Sequence, residues 1–160
     1  MNITYRTQIL QSDNKSVRQI VESTGFFYDY EIPIAVELVE EALKKGQEIS
    51  GYFFVFAELD GKTVSYTCFG PISCTVGSYD LYWIATHNDY RGKGIGKMIL
   101  EKTHKIIKQM NGRMVIAETS SQEKYAPTRH FYISNNYTKD AQIKDFYDIN
   151  DDKVMYVKRL

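Results

Sequence analysis

The pattern of apolar and polar positions along the chain predicts a mixture of helices and strands. Apolar residues recur at helical spacing in some segments and form alternating or continuous runs in others. Asp60-Gly61 lies between two aromatic and β-branched runs, which is typical of a tight hairpin turn. The predicted elements are a strand at 3–9, helices near 12–25 and 33–45, a hairpin within 51–72, a strand at 80–86, a helix from 95 to about 110, a strand at 113–119, a helix at 127–135, and strands at 141–147 and 153–158.

The longest of these helices follows a glycine-rich turn and is amphipathic. Its end is set by Asn111-Gly112, a pair that favours a left-handed backbone. The element order is therefore β α α β β β α β α β β. The residues predicted on the buried stripe of the long helix are Ile95, Met98, Ile99, Ile106, Ile107 and Met110.

Composition adds that residues 1–160 form one ordinary globular domain. The 160 residues are 43% hydrophobic and 25% charged, which argues against disorder and against a coiled coil. A chain of this mass buries about 70% of its unfolded surface, so one hydrophobic core suffices without a disulfide or a metal. The 20 basic and 20 acidic residues balance, which removes the electrostatic argument for nucleic acid or an anionic membrane as partner. We expect a small-molecule partner.

The sequence also argues for a cytoplasmic protein. The longest strongly apolar run, Tyr52–Ala57, is far shorter than the roughly 18 residues of a membrane helix. The start MNITYRTQ lacks the basic and apolar regions of a signal peptide. Cys68 and Cys74 are therefore expected to be free thiols. The three histidines have no metal-ligand spacing among themselves or with the cysteines, so no metal site is predicted.

One sharp motif, Arg91-Gly92-Lys93-Gly94-Ile95-Gly96-Lys97, lies between a predicted strand and the long helix. Glycines let a ligand approach the backbone, and the first N–H groups of a helix lack helical partners and carry the positive end of the helix dipole. With the charges of Arg91 and Lys97, these groups predict a pyrophosphate site. A Walker loop is excluded, because Arg91 stands where its first glycine is required and Met98 follows Lys97. A dinucleotide fingerprint is excluded, because Lys97 replaces the third glycine and no repeated βαβ unit surrounds the turn.

This Arg-x-x-Gly-x-Gly turn after a strand resembles the acetyl-CoA-binding motif of the GNAT superfamily of N-acetyltransferases. The likeness extends over nearly the whole chain: the element order agrees, as do the strand Tyr82–Thr86 and Phe131-Tyr132 followed by Asn136-Tyr137. It implies an α/β fold of the GNAT type, with a mixed, twisted sheet of about seven strands, about four flanking helices, and the cofactor between the fourth and fifth strands. It also implies transfer of an acetyl group from acetyl-CoA to a primary amine of a small molecule or peptide by direct attack.

The resemblance further implies roles for individual residues. Asp80 lies where the family has its base, and Tyr132 where the family has the tyrosine that acts as general acid; backbone N–H groups near Ile84 and Thr86 are expected to contact pantetheine and polarise the thioester carbonyl. The alternatives are a turn residue for Asp80, with Glu118 as the second choice of base, and a core aromatic for Tyr132. The expected cofactor-binding residues are Ile84, Ala85, Thr86, Arg91, Gly92, Lys93, Gly94, Ile95, Gly96 and Lys97.

Four residues are expected near the acceptor. Tyr28 and Tyr30 fall in the loop between the first two helices, which often lines the acceptor cleft in GNAT proteins, and packing of that loop is an equally open alternative. Tyr82 and Glu118 lie on the fourth and fifth strands. The sequence departs from the family's pattern at Asn88, where proline is frequent, at Asn136, where glycine is usual, and at Tyr125 and Thr128, where an Asn and an Ala often contact the cofactor.

Other functions stay open at this point. A non-catalytic acyl-CoA-binding sensor has the same turn but a closed acceptor cleft, and an acyltransferase can use a different acyl group or an alcohol acceptor. The acidic stretch Asp145–Asp152 either attracts a cationic amine or forms a solvated loop. A homodimer through the exposed final strands is a further expectation. The identity of the acceptor does not follow from a resemblance of fold.

Overall fold

The structure is a computed structural model that describes residues 2–160. Its elements follow the predicted order, with one additional short helix, and short 3₁₀ turns lie at Asn88–Tyr90 and Glu123–Tyr125. No helix within the described residues is long and apolar enough to cross a membrane. The elements are β1 (Ile3–Arg6), α1 (Asp13–Ser23), α2 (Glu31–Lys45), α3 (Gln47–Ser50), β2 (Phe53–Leu59), β3 (Lys62–Pro71), β4 (Ser78–Thr86), α4 (Ile95–Gln109), β5 (Met114–Ser120), α5 (Ala126–Ser134), β6 (Thr138–Asp148) and β7 (Asp151–Arg159).

The strands form one mixed seven-stranded sheet in the order β1-β2-β3-β4-β5-β7-β6. Neighbouring strands are antiparallel in the pairs β1–β2, β2–β3, β5–β7 and β7–β6, whereas β4 and β5 are parallel. Asp60 and Gly61 both have positive φ, at 51° and 77°, as the predicted hairpin turn requires. The predicted α/β fold with a mixed sheet of seven strands is therefore confirmed.

The chain divides into two compact units. The first comprises the chain up to Gly70 together with Tyr82–Ile106. Its core lies where α1 and α2 pack on the sheet, because apolar residues that recur at helical spacing in both helices are buried there against aromatic strand residues. This core includes Val17, Ile20, Val21, Ala35, Val36, Val39, Phe54, Phe56 and Tyr66.

The second unit comprises Pro71–Leu81 and Ile107–Leu160. On one face of its strands, Tyr156 of β7 stacks on Tyr132 of α5 with ring centroids 5.8 Å apart, and Tyr137 lies 5.2 Å from the same ring of Tyr132. Val115, Ala117 and Val154 are also buried.

The buried stripe of α4 differs in part from the prediction. Ile95, Ile99 and Ile107 are buried as expected, but Met98 is 37% exposed, and Leu100 and Thr103 are fully buried instead. The apolar pattern does not predict Thr103 as buried, because its hydroxyl is polar. It is tolerated in the interior because it donates to the Ile99 carbonyl at 2.8 Å and bonds to the hydroxyl of Thr67 at 2.7 Å.

Two local features were not predicted. The helix α3 is a single turn between Gly46 and Gly51, too short for a hydrophobic period, and it makes five helices rather than about four. At the start of α1, the sequence predicts Ser12 or Asp13 as the capping residue, but Ser12 makes no side-chain capping bond. Asp13 instead is the first helical residue, and its carboxylate accepts a 2.7 Å hydrogen bond from the Leu10 N–H.

Candidate functional site

The turn into α4 keeps its backbone open on one side. Gly92 and Gly94 have φ of +73° and +78°, and a Cβ added at either position meets no atom within 4 Å. The N–H of Met98 donates to the Gly94 carbonyl at 3.1 Å and makes the first helical bond. The N–H groups of residues 95–97 precede that bond and have no helical acceptor. We call Arg91–Lys97 the cradle, since its geometry suits an anion.

The cradle carries three cationic side chains. Arg91 and Lys97 are exposed, and the Lys97 ammonium lies 3.9 Å from the Glu101 carboxylate. The Lys93 ammonium donates to the Asp89 carbonyl at 3.0 Å and lies 5.2 Å from the ring centroid of Tyr90. Positive charge therefore exceeds negative charge around the open N–H groups, as a diphosphate ligand requires.

The second half of β4, which leads into the cradle, is held firmly by β3. The Ser65 hydroxyl donates to the Ala85 carbonyl at 2.9 Å and lies 2.8 Å from the Thr86 hydroxyl. The N–H of His87 donates to the Val64 carbonyl at 2.8 Å. The pairing of β4 with β5 spans Ser78–Asp80, so the predicted pantetheine contacts at 84–86 lie beyond the residues of β4 that pair in parallel.

In the second unit, Asp80 and Glu118 lie on one face of the sheet together with Lys153. Asp80 pairs with Ile116, two residues before Glu118, and Lys153 pairs with Ser120, two residues after it. Because side chains alternate along a strand, all three point to the same side. The Lys153 ammonium lies 2.7 Å from the Glu118 carboxylate and 3.8 Å from the ring centroid of Phe146. We call Asp80, Glu118 and Lys153 the carboxylate cluster.

The environment of Asp80 suits a base. Burial raises the pKa of the Asp80 carboxyl, and the charge of Glu118 raises that pKa further, while Lys153 opposes the shift. Tyr147 lies in the same surroundings: burial and the charges of Glu118 and Asp151 raise the pKa of its phenol to about 12. Perturbed carboxyl groups of this kind concentrate at functional sites.

Tyr132 projects from α5 into an aromatic cluster. Its side chain is 5% exposed, between the rings of Tyr137 and Tyr156. Burial raises the pKa of the Tyr132 phenol, so the side chain keeps its proton at neutral pH. Tyr132 thus meets one requirement of a general acid and is packed as a core aromatic at the same time. The helix ends at Ser134. Asn136, two residues further on, has a φ of +63°, so asparagine takes the left-handed conformation that glycine usually supplies.

The three tyrosines expected near the acceptor lie in the first unit and expose part of their rings. Tyr28 and Tyr30 stack with ring centroids 5.4 Å apart and are 45% and 69% exposed. Tyr82 on β4 is 40% exposed and makes an edge contact with Tyr52. Exposed aromatic faces of this kind can pack against an organic amine or stabilise its cation.

Carboxylates of the stretch Asp145–Asp152 close the turn between the last two strands. Asp152 accepts a 2.9 Å hydrogen bond from the Asp145 N–H, and Asp145 accepts one of 2.8 Å from the Asn150 N–H. The first of these bonds lowers the pKa of the Asp152 carboxyl. The Ser120 hydroxyl donates to Asp151. Cys68 is buried, Cys74 is exposed, and both are free thiols as predicted. No group of three or more His, Cys, Asp or Glu side chains within 2–160 could hold a metal ion.

Sequence reasoning missed Lys153 and the neighbouring Phe146 and Tyr147. Their only signal was that Lys153 is the first residue of the last predicted strand and that Phe146 and Tyr147 end the predicted strand before it. The ion pair with Glu118 depends on the register of β5 against β7, which no local pattern determines.

Comparison with known proteins decides the family. The family model described as an acetyltransferase (GNAT) domain matches residues 50–139. The chain is also 42% identical to a GNAT-family protein from Desulfovibrio desulfuricans, whose crystal structure superposes with a TM-score of 0.96 over 99% of both chains. This chain belongs to the GNAT family. It is an acyltransferase, and GNAT homologues bind acetyl-CoA or coenzyme A.

More distant GNAT structures show the same fold. The yncA protein of Salmonella typhimurium, solved with acetyl-CoA, gives a TM-score of 0.75 at 17% identity and covers 100% of this chain and 95% of its own. An aminoglycoside 6'-N-acetyltransferase solved with coenzyme A gives 0.76 at 13% identity, with coverage of 99% and 97%. Identities this low support the fold alone. No curated protein matches the chain.

Proposed function

We propose that this GNAT protein transfers the acetyl group of acetyl-CoA to a primary amine of a small molecule or peptide by direct attack. The observation that carries the proposal is the cradle, in which two left-handed glycines leave the backbone open beside the start of α4. We also propose that residues 1–160 act as a single domain. The cytoplasmic location and the homodimer expected from the sequence stay predictions.

The residues present fit a coenzyme A diphosphate. The N–H groups of residues 95–97 are the donors, and the exposed side chains of Arg91 and Lys97 supply compensating charge. A side chain at Gly92 or Gly94 would occupy the open space that the ligand requires. When bound, acetyl-CoA supplies an acetyl group activated as a thioester. The backbone near Ile84, Ala85 and Thr86 is proposed to bind the pantetheine arm.

Two residues are proposed to handle protons. An amine attacks only in its neutral form, so a base must accept the proton of the acceptor ammonium. Asp80 is proposed as this base, acting directly or through water, because its raised pKa brings its proton affinity closer to that of a working base. Tyr132 is proposed as the general acid, because its Oη holds a proton that burial keeps in place at neutral pH.

Tyr28, Tyr30, Tyr82 and Glu118 stay proposed as acceptor-binding residues. The exposed aromatic faces of the three tyrosines favour a cationic organic amine over an anion or an apolar molecule. The acceptor named for one relative, an aminoglycoside, belongs to this broad class. The proposal for this chain is the class, a primary amine, and not that compound.

Two measurements test the proposed function. Isothermal titration of the protein with acetyl-CoA measures binding to the cradle, and release of free thiol across amines, amino acids, polyamines and peptide N-termini measures transfer. Binding together with thiol release that depends on the amine supports the proposal. Binding without release from any acceptor would instead indicate an acyl-CoA sensor, and no heat of binding would overturn both.

A matched charge control separates the cradle from general electrostatics. The double variant R91M/K97M removes two charges from the cradle, and K105M/K108M removes two exposed charges farther along α4. We expect the first to weaken acetyl-CoA binding at least tenfold and the second less than about twofold, since an exposed charge several turns away is largely screened.

A further inference from the structure

The two carboxylates of the carboxylate cluster differ in what holds them. Glu118 is ion-paired with Lys153 at 2.7 Å, and the Lys153 side chain is only 15% exposed. The Lys153 ammonium also lies over the ring of Phe146, 3.8 Å from its centroid. The Asp80 carboxylate, by contrast, makes no hydrogen bond or ion pair within residues 2–160. The Glu118 carboxylate is therefore held in an ion pair, whereas the Asp80 carboxylate is not.

The charged and titratable groups around Asp80 come from three strands. Glu118 projects from β5 and Lys153 from β7, and these are the two groups that act electrostatically on Asp80. Tyr147 on β6 interacts with Glu118 and with Asp151, which in turn accepts a hydrogen bond from the Ser120 hydroxyl. Lys153 is the only cation in this set, so its position decides which carboxylate is neutralised.

We propose that Lys153 is a positioning residue that keeps Glu118 paired and thereby leaves Asp80 as the carboxylate that accepts the proton of the acceptor amine. This inference rests on the proposed function. In the step, one N–H bond of the acceptor ammonium breaks, its electron pair stays on nitrogen, and the proton forms an O–H bond on the Asp80 carboxylate, directly or through water. Glu118 keeps its ion pair throughout.

The energetic argument concerns which carboxylate can receive the acceptor ammonium. At Glu118 the acceptor would have to displace the Lys153 ammonium, which is largely buried and lies 2.7 Å from that carboxylate. Protonation of Asp80 removes a half-buried charge that Glu118 repels, so it is easier than in water. Without Lys153, two unneutralised carboxylates would share the site and compete for one proton.

Four variants test this assignment. D80N and E118Q remove one carboxylate each, K153M removes the cation, and K153R keeps it. We expect D80N to lower kcat about 100-fold, the usual contribution of a positioned base, and E118Q to lower it by less than about tenfold. A larger loss in E118Q than in D80N would overturn the assignment.

The pH dependence of kcat/KM distinguishes the proposed positioning role of Lys153 from a purely structural role. Loss of the cation raises the pKa of Asp80, so the acid limb of K153M is expected at higher pH, while K153R keeps the limb of the native protein. Loss of the neighbouring negative charge lowers that pKa, so the limb of E118Q is expected at lower pH. An unmoved limb in K153M, even with a lower Tm, would overturn the proposal.

A titration of the free protein keeps the inference separate from the proposed function. The ¹³C resonance of the Asp80 carboxyl, assigned by its absence in D80N, is followed against pH in each variant. It is expected to titrate at higher pH in K153M and at lower pH in E118Q, whether or not any amine is acetylated. If no amine is acetylated but the resonance moves as expected, only the proposed function fails. If amines are acetylated but the resonance does not move, only the role of Lys153 fails.

Discussion

The guanidinium of Arg6 and the carboxylate of Asp13 form a bidentate ion pair, with N–O distances of 2.8 and 2.9 Å, and the Asp13 side chain is 1% exposed. Arg6 also donates to Glu58 at 2.9 Å and lies 4.4 Å from the ring centroid of Phe56. The pair joins β1 to the first turn of α1, so one arginine links a strand, a helix and the hydrophobic core.

Replacement of Arg6 by Met is therefore expected to destabilise the fold by about 3 kcal/mol, because it leaves the buried Asp13 carboxylate without its counter-charge. The matched control is R18M, which breaks an exposed pair with Glu22 at 3.6 Å and is expected to cost less than about 0.5 kcal/mol. Urea unfolding measures both. Equal losses in the two variants would contradict the buried-pair argument.

Asp80 yields a prediction about stability as well as rate. Its pKa is raised in the folded protein, so the native state binds its proton more tightly than the unfolded chain does. Stability from this group is complete below the ordinary aspartate pKa and is lost as pH rises through the higher folded pKa. Removing the charge therefore stabilises the fold at neutral pH.

The variant D80N is accordingly expected to raise Tm by about 1–2 °C at pH 7. It is expected to leave Tm unchanged at pH 3, where the aspartic acid of the native protein and the asparagine of the variant are both neutral. E37Q, which removes an exposed carboxylate from α2, serves as control and should leave Tm unchanged at both pH values. Thermal unfolding followed by circular dichroism measures the difference. A lower Tm for D80N at pH 7 would show that the carboxylate is held by favourable contacts.

Features that depend only on residues adjacent in the sequence could be predicted from the sequence. The hairpin turn at Asp60-Gly61 has the predicted positive φ values, and α2 ends at Lys45 before Gly46 as expected. The glycine-rich turn was found for the same reason, since its chemistry lies in seven consecutive residues.

Features that depend on register or on burial of polar groups could not be predicted. Thr103 looks solvent-facing until its hydroxyl bond to Thr67 is known, and the misplaced Met98 follows from that omission. The pairing of Glu118 with Lys153 joins residues 35 positions apart in the sequence. It requires the antiparallel alignment of β5 with β7, which is a property of the whole sheet.

Substitution of a glycine in the cradle is expected to weaken acetyl-CoA binding by more than its effect on stability explains. Gly94 has a φ of +78° and Gly25 a φ of +60°, and a Cβ at either meets no atom within 4 Å. Replacement by Ala is thus expected to cost about 1 kcal/mol of stability at both positions through backbone strain alone. Only G94A is expected to weaken acetyl-CoA binding, by about tenfold, since Gly25 follows α1 and lies outside the cradle.

Calorimetric titration with acetyl-CoA and urea unfolding of both variants measure the two effects. Similar losses of affinity in G25A and G94A would mean that binding follows stability and not the cradle. An unchanged affinity in G94A with the expected loss of stability would remove the left-handed glycine from the binding mechanism.

Removal of the Tyr132 hydroxyl is expected to lower the rate of acetyl transfer without weakening acetyl-CoA binding. Burial raises the pKa of its phenol, so the proton stays on Oη throughout the physiological range and kcat should show no alkaline limb below about pH 10. Y132F keeps the ring contacts with Tyr137 and Tyr156 and removes only the hydroxyl. We expect kcat to fall about 10- to 100-fold with the acetyl-CoA Kd unchanged.

The matched control is Y137F, which removes a second buried hydroxyl from the same aromatic cluster. It is expected to change kcat by less than about twofold, because no role in proton transfer is proposed for Tyr137. Steady-state kinetics and calorimetry of both variants separate rate from affinity. Intact turnover in Y132F, or a loss of cofactor binding at an intact rate, would assign the Tyr132 hydroxyl to packing and leave the leaving thiolate to be protonated by solvent.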